Sequence, residues 1–293
     1  MSKPNLFLVG AAKSGTTSME RYLSEHPQIF MSPRSEVHHF GQDLMIKFRV
    51  ADRNEYLELF TGAGDAVAIG EKSIGYLFSQ TAASEIYRFN PDSHIVIMLR
   101  NPVDMVFSLH RQFVRSGNED LVDFTDALAA QSDRLHGRRL PPTCHKPDLL
   151  QYFEVVRYAP QVERYLNVFG ARVVVVLFDD LKADPSAAYG RIVDLVGADQ
   201  DFQPRFDVHN PTIDLPSVAI RGQMARFPRV ASMGRRLVSP RARRRLRRAS
   251  AVFQPQPDRV LDSAIRAELL HRFEKDIDQL SQLIDRDLSA WNQ

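Results

Sequence analysis

The sequence predicts an α/β fold: a single three-layer domain over residues 1–293, with a central parallel sheet, a P-loop-type phosphate-binding loop and flanking helices. Two observations carry this reading. Short runs of Val, Ile and Leu recur along the chain, each followed by a helical pattern, as in βαβ units. The first run also passes through a Gly-, Ser- and Thr-rich turn straight into a helix, the local pattern of an anion cradle.

The elements follow in order. Residues 6–9, 95–99 and 173–178 read as buried parallel strands, and 66–69 as a weaker one. Helical periodicity covers residues 17–23, 81–89, 103–114, 123–135, 149–167 and 185–196, and a long amphipathic helix spans roughly 258–285. Pro102 and Pro185 stand where a first helical turn tolerates proline. Residues 137–148 and 203–217 read as loops, the second rich in proline and placed to act as a lid. Ligands of such sheets bind beyond the carboxyl ends of the strands.

Composition is that of a globular protein, with 44% hydrophobic and 25% charged residues. The apolar stretch at residues 6–9 is too short for a signal-peptide core, and no run approaches the length of a membrane span. Cys144 is the only cysteine, so no internal disulfide can form, and a cytoplasmic protein is expected. The net charge of +2 conceals an asymmetry. Residues 233–248 hold eight arginines, from Arg235 to Arg248, and no acid; without them the remainder would carry −6.

The first strand leads into Gly10-Ala-Ala-Lys13-Ser14-Gly15-Thr16-Thr17-Ser18. Small residues let backbone N–H groups turn inward, and a helix N-terminus adds positive partial charge. The spacing from Gly10 to Gly15 fits a Walker A loop, but Thr16 stands where the lysine is expected and Lys13 lies inside the loop. The third run in chain order ends in Arg100-Asn-Pro-Val-Asp104 with Ser108 two turns into the next helix, so an arginine and a hydroxyl can grip a phosphate that is not being transferred. Between the two lies Glu36-Val-His38-His39-Phe40, a carboxylate and imidazoles suited to acid/base work, or to zinc. Glu71-Lys72-Ser73 follows a strand; taken alone it could be a surface ion pair.

Together these strings resemble the sulfotransferases that use 3′-phosphoadenosine-5′-phosphosulfate (PAPS), in their carbohydrate (heparan-type) and bacterial branch. The resemblance implies that Lys13, Ser14, Gly15, Thr16, Thr17 and Ser18 hold the 5′-phosphosulfate. It implies that Arg100 and Ser108 bind the 3′-phosphate, with Arg221 and Gly222 as a late loop completing that site. Glu36 would be the general base with His38 beside it, and Lys72 would point toward the sulfuryl group or acceptor. The chain departs from the pattern at Arg34-Ser35, where the family has a basic residue directly before the glutamate. Asp179 and Asp180, in the strand-and-turn string, read as structural.

The implied activity is transfer of the sulfuryl group of PAPS to a hydroxyl or amine of a carbohydrate or small natural product. No metal is needed in principle, because no triphosphate must be clamped. A P-loop small-molecule kinase using ATP and magnesium is the alternative within enzymes, with Asp179 or Asp180 as its metal ligand. A module that binds an anionic polymer through Arg235 to Arg248 is the alternative outside them. No sequence-specific nucleic-acid partner is expected; the arginine run suits an anionic acceptor or surface.

Overall fold

The structure, a computed structural model, describes residues 3–206 and 260–292. Five strands form one sheet, all parallel, in the order β2-β3-β1-β4-β5: β1 (Leu6–Gly10), β2 (Ile29–Met31), β3 (Ala68–Lys72), β4 (His94–Leu99) and β5 (Val173–Leu177). Side chains alternate across the sheet. Phe7 and Val9 enter one apolar layer with Ile95, Ile97 and Leu99, whereas Leu6 and Leu8 enter the opposite layer with Val96, Met98 and Val176. Helices cover both faces, so the strands are near-continuous apolar runs, as burial on two sides requires.

The helices are α1 (Thr16–Glu25), α2 (Arg53–Glu58), α3 (Ala82–Phe89), α4 (Pro102–Ser116), α5 (Phe124–Ala129), α6 (Gln131–Leu135), α7 (Tyr152–Val155), α8 (Tyr158–Phe169), α9 (Phe178–Ala183), α10 (Pro185–Val196) and α11 (Ser263–Leu283). Caps explain several starts. Asn101 accepts from the Val103 and Asp104 amides ahead of Pro102, and Asp184 accepts from Ala187 ahead of Pro185.

Five expectations are corrected. The helix expected over 123–135 is two, because ψ flattens to −12° at Ala130, which ends α5 and opens α6. The helix expected over 149–167 is a 3-10 turn at Pro147–Leu150, then α7, then α8. Pro160 forces that last break: inside one continuous helix it would clash with the carbonyl of Val156. Instead it sits in the first turn of α8, whose Tyr158 amide is capped from another helix by Asp276, at 2.7 Å. The strand expected at 66–69 runs on to Lys72, because the polar atoms of Glu71 and Lys72 find partners inside the fold. The fourth run stops at Leu177; Phe178, Asp179 and Asp180 belong to α9. The C-terminal helix starts at Ser263, where Asp262 accepts from the Ala264 and Ile265 amides. β2, only three residues long, was not expected. Of the proposed lid, only residues 203–206 are described; the basic segment 233–248, Arg221 and Gly222 lie outside the described residues.

The strand order fixes where a ligand fits. The chain leaves β1 toward β2 and β3 on one side, and leaves β4 toward β5 on the other. Neighbouring strands whose exits diverge leave a crevice at their carboxyl ends. That crevice lies between the Gly10–Ser18 turn and Arg100.

Candidate active site

The turn after β1 is shaped for close approach. Gly15 caps α1 at φ 85°, and a Cβ there would lie 2.5 Å from Leu181 Cδ2. No side chain caps this helix, so the amides of its first turn stay available to an anion. Thr16, Thr17 and Ser18 form that turn; Ser14 is buried, with its hydroxyl donating to the Ala12 carbonyl at 3.2 Å. Replacing Gly15 with alanine is expected to destabilise the protein by about 1–2 kcal/mol, from the left-handed backbone alone. A urea melt of the variant measures this.

Cations gather on the crevice. Arg100 lies over the Phe178 ring at 4.9 Å, and its Nη1 donates to the Lys13 carbonyl at 3.4 Å. Burial, then the charges of Arg115 and Arg100, push the Lys13 ammonium below its ordinary pKa. Ser108 is half-buried in α4. Arg115 was not foreseen, although Ser108, Arg111 and Arg115 fall at i, i+3 and i+7 on one helix face.

Across from the crevice, Glu36 stands among cations. Its Oε2 is 2.7 Å from Lys146 Nζ and 2.9 Å from His38 Nε2, and its Oε1 is 3.4 Å from Lys72 Nζ. Burial alone would raise this carboxyl, but His38 and the two lysines outweigh it and hold Glu36 well below the usual carboxylate range. Burial pushes the His38 imidazole down. Lys72 also meets Glu20 at 3.1 Å and Thr17 Oγ1 at 3.5 Å, which ties the Glu36 cluster to the phosphate turn. The surface ion pair considered for Glu71-Lys72 is therefore not formed; both residues are buried.

Lys13, Glu36 and His38 have φ of 60°, 60° and 50°, which puts three site residues among the five described non-glycine residues with positive φ. Such conformations cost about 1–3 kcal/mol each and persist only where the surroundings impose them. Here the Glu36 amide donates to the Lys72 carbonyl at 2.9 Å and the His38 amide to Ser73 Oγ at 2.9 Å. His39 is turned away: it stacks flat on Tyr56 at 4.1 Å, and its Nδ1 faces the Val50 carbonyl at 2.8 Å.

A cavity of about 390 Å³ opens beside Glu36 and His38, walled by Phe48, Ile46, Arg34, His145 and Lys146 among others. Lys146 and Glu20 were missed in the sequence. Lys146 sits in a loop without periodicity and gave no signal, whereas Glu20 follows Thr17 by one helical turn on the face that looks into the site. Asp180 pairs with Arg286 at 3.0 Å; Asp179 pairs with Lys182 at 2.7 Å and accepts from Trp291 Nε1 at 3.2 Å.

A parallel sheet with a tight glycine turn and an uncapped helix start at its switch point, faced by cations and an ionised glutamate, has the layout of a P-loop-type group transferase. The chain belongs to the sulfotransferase family: the sulfotransferase domain model matches residues 3–207. A sulfotransferase from Alicyclobacillus acidocaldarius superposes with a TM-score of 0.76 at 31% identity, covering 100% of both chains. Mouse heparan sulfate glucosamine 3-O-sulfotransferase 6 is 26% identical over 216 residues, 73% of this chain and 58% of that protein. Human bifunctional heparan sulfate N-deacetylase/N-sulfotransferase 1 is 25% identical over 210 residues, 66% of this chain and 21% of that protein. The chain thus spans little more than half of the first relative and a fifth of the second. Family membership does not favour the kinase reading. No described helix is long and apolar enough to cross a membrane.

Proposed function

We propose that the protein transfers the sulfuryl group of PAPS to the hydroxyl of a carbohydrate or small natural product, with Glu36 as general base. The observation that supports this best is the link from phosphate turn to carboxylate through Lys72, which reaches Thr17 on one side and Glu36 on the other.

In this reading the amides of Gly15 to Ser18 and the Lys13 ammonium hold the 5′-phosphosulfate, and Arg100 and Ser108 hold the 3′-phosphate. The acceptor oxygen attacks sulfur, and the bond from sulfur to the bridging phosphate oxygen breaks, its electron pair leaving with adenosine 3′,5′-bisphosphate. Negative charge grows on the leaving oxygen and the sulfuryl oxygens, and in this reading Lys13 and Lys72 stabilise it. The acceptor proton passes to Glu36, which is ionised throughout the neutral range. A carboxylate so strongly held is a weak base. An acceptor entering the cavity that Lys146 lines would separate Lys146 from Glu36 and restore basicity. Phe48, 65% exposed at that cavity, offers a flat apolar face to a sugar ring or an aromatic body.

Calorimetry with adenosine 3′,5′-bisphosphate in the absence of metal tests the nucleotide half of this reading. Binding is expected, with ATP–magnesium bound far more weakly; the reverse order contradicts it. The eight arginines of residues 233–248 suit an acidic acceptor. Replacing Arg243, Arg244 and Arg245 with serine is expected to raise acceptor KM and flatten its salt dependence without changing PAPS affinity. An unchanged salt profile would make the run a solvated surface.

A further inference from the structure

Glu71 is fully buried and is not among the residues that wall the cavity. Its Oε1 accepts from the Tyr56 hydroxyl at 2.9 Å and the Tyr76 hydroxyl at 3.0 Å, and its Oε2 accepts from Ser73 at 2.8 Å. Each of those three groups in turn holds one of three consecutive residues. Ser73 Oγ accepts from the His38 amide at 2.9 Å, the Tyr56 ring stacks on His39, and the Tyr76 hydroxyl accepts from the Phe40 amide at 3.2 Å. The segment so fixed begins two residues after Glu36 and includes His38, both at positive φ.

We propose that Glu71 is a positioning residue for the reaction: its carboxylate organises Ser73, Tyr56 and Tyr76 so that residues 38–40 hold His38 and Glu36 in reacting geometry. The inference rests on the reading of Glu36 as the base. The ionised form accepts from all three hydroxyls and brings no competing donor of its own. A protonated Glu71 must donate to one of them, and the donor it meets has to turn elsewhere, which loosens the segment.

Burial, with a smaller push from the Glu36 carboxylate, raises Glu71 to about 7. Tyr56 and Tyr76 are pushed well above the ordinary tyrosine range, Glu36 is held far below, and burial lowers both His38 and His39. Protonation of Glu71 therefore accompanies a fall of pH through neutrality, and kcat should fall with it.

The test is the pH profile of kcat for the full chain and for Glu71→Gln and Tyr76→Phe, with adenosine 3′,5′-bisphosphate affinity measured by calorimetry alongside. The natural protein should lose kcat as pH drops through about 7. Glu71→Gln should lower kcat at high pH by about 10–100-fold, as loss of a supporting partner typically does, and abolish that limb. Nucleotide affinity and acceptor KM should stay within about twofold. Tyr76→Phe removes one donor to the carboxylate, so its limb should move to higher pH; this variant carries the test if Glu71→Gln does not fold. A limb that persists unshifted in both variants, or an unchanged kcat, overturns the inference. Full turnover by Glu36→Gln overturns the underlying assignment of the base instead.

Discussion

Replacing Glu36 with glutamine should lower turnover by about 10²–10⁴-fold, the usual contribution of a general base, with nucleotide affinity intact. Glutamine keeps the shape and removes the proton acceptor. The nucleotide is expected to be unaffected because the described residues assigned to it lie on the turn into α1, at the end of β4 and in α4, whereas Glu36 meets Lys146, His38 and Lys72. His38→Ala should cost less, since a neutral buried imidazole beside the carboxylate orients it and takes no proton itself. The check is kcat at saturating PAPS and acceptor, using an alcohol of ordinary high pKa. Normal turnover by Glu36→Gln would place the base elsewhere, with His38 the first replacement.

The second large effect belongs to the other end of the nucleotide. Arg100→Ala and Ser108→Ala should weaken adenosine 3′,5′-bisphosphate far more than adenosine 5′-phosphosulfate, which lacks the 3′-phosphate. A lost charge-assisted hydrogen bond costs about 1.5–3 kcal/mol, roughly one to two powers of ten in affinity. The Arg100 guanidinium is held on the Phe178 ring beside the Lys13 carbonyl, so it is largely oriented before a ligand arrives. Calorimetry with both nucleotides separates the cases: equal loss for both would make the pair structural.

The parts of the molecule legible in the sequence were those written in local pattern. Buried parallel strands appear as apolar runs, and Gly15 marks the tight turn into α1 because glycine takes its left-handed backbone without strain. The end of β3 was hidden because Glu71 and Lys72 look like surface residues until Tyr56, Tyr76, Glu20 and Glu36 are seen around them. Pro160 is compatible with a helix only in its first turn, which fits a helix starting at Tyr158, but amphipathic periodicity continues across it. Lys146 is 110 residues from Glu36 in sequence, and only tertiary folding of an aperiodic loop brings them together. Glu20 and Arg115 could have been found by projecting α1 and α4 onto helical faces from Thr17 and Ser108.

The central claim is sulfuryl transfer from PAPS, and mass spectrometry of an acceptor screen tests it most directly. The protein is incubated with PAPS and a panel of sugar and small-molecule alcohols and amines. One acceptor should gain a single sulfuryl group, with one equivalent of adenosine 3′,5′-bisphosphate released, and the gain should vanish in Glu36→Gln. Release of adenosine 3′,5′-bisphosphate with no sulfated product, or a phosphorylated product when ATP–magnesium replaces PAPS, would contradict the account.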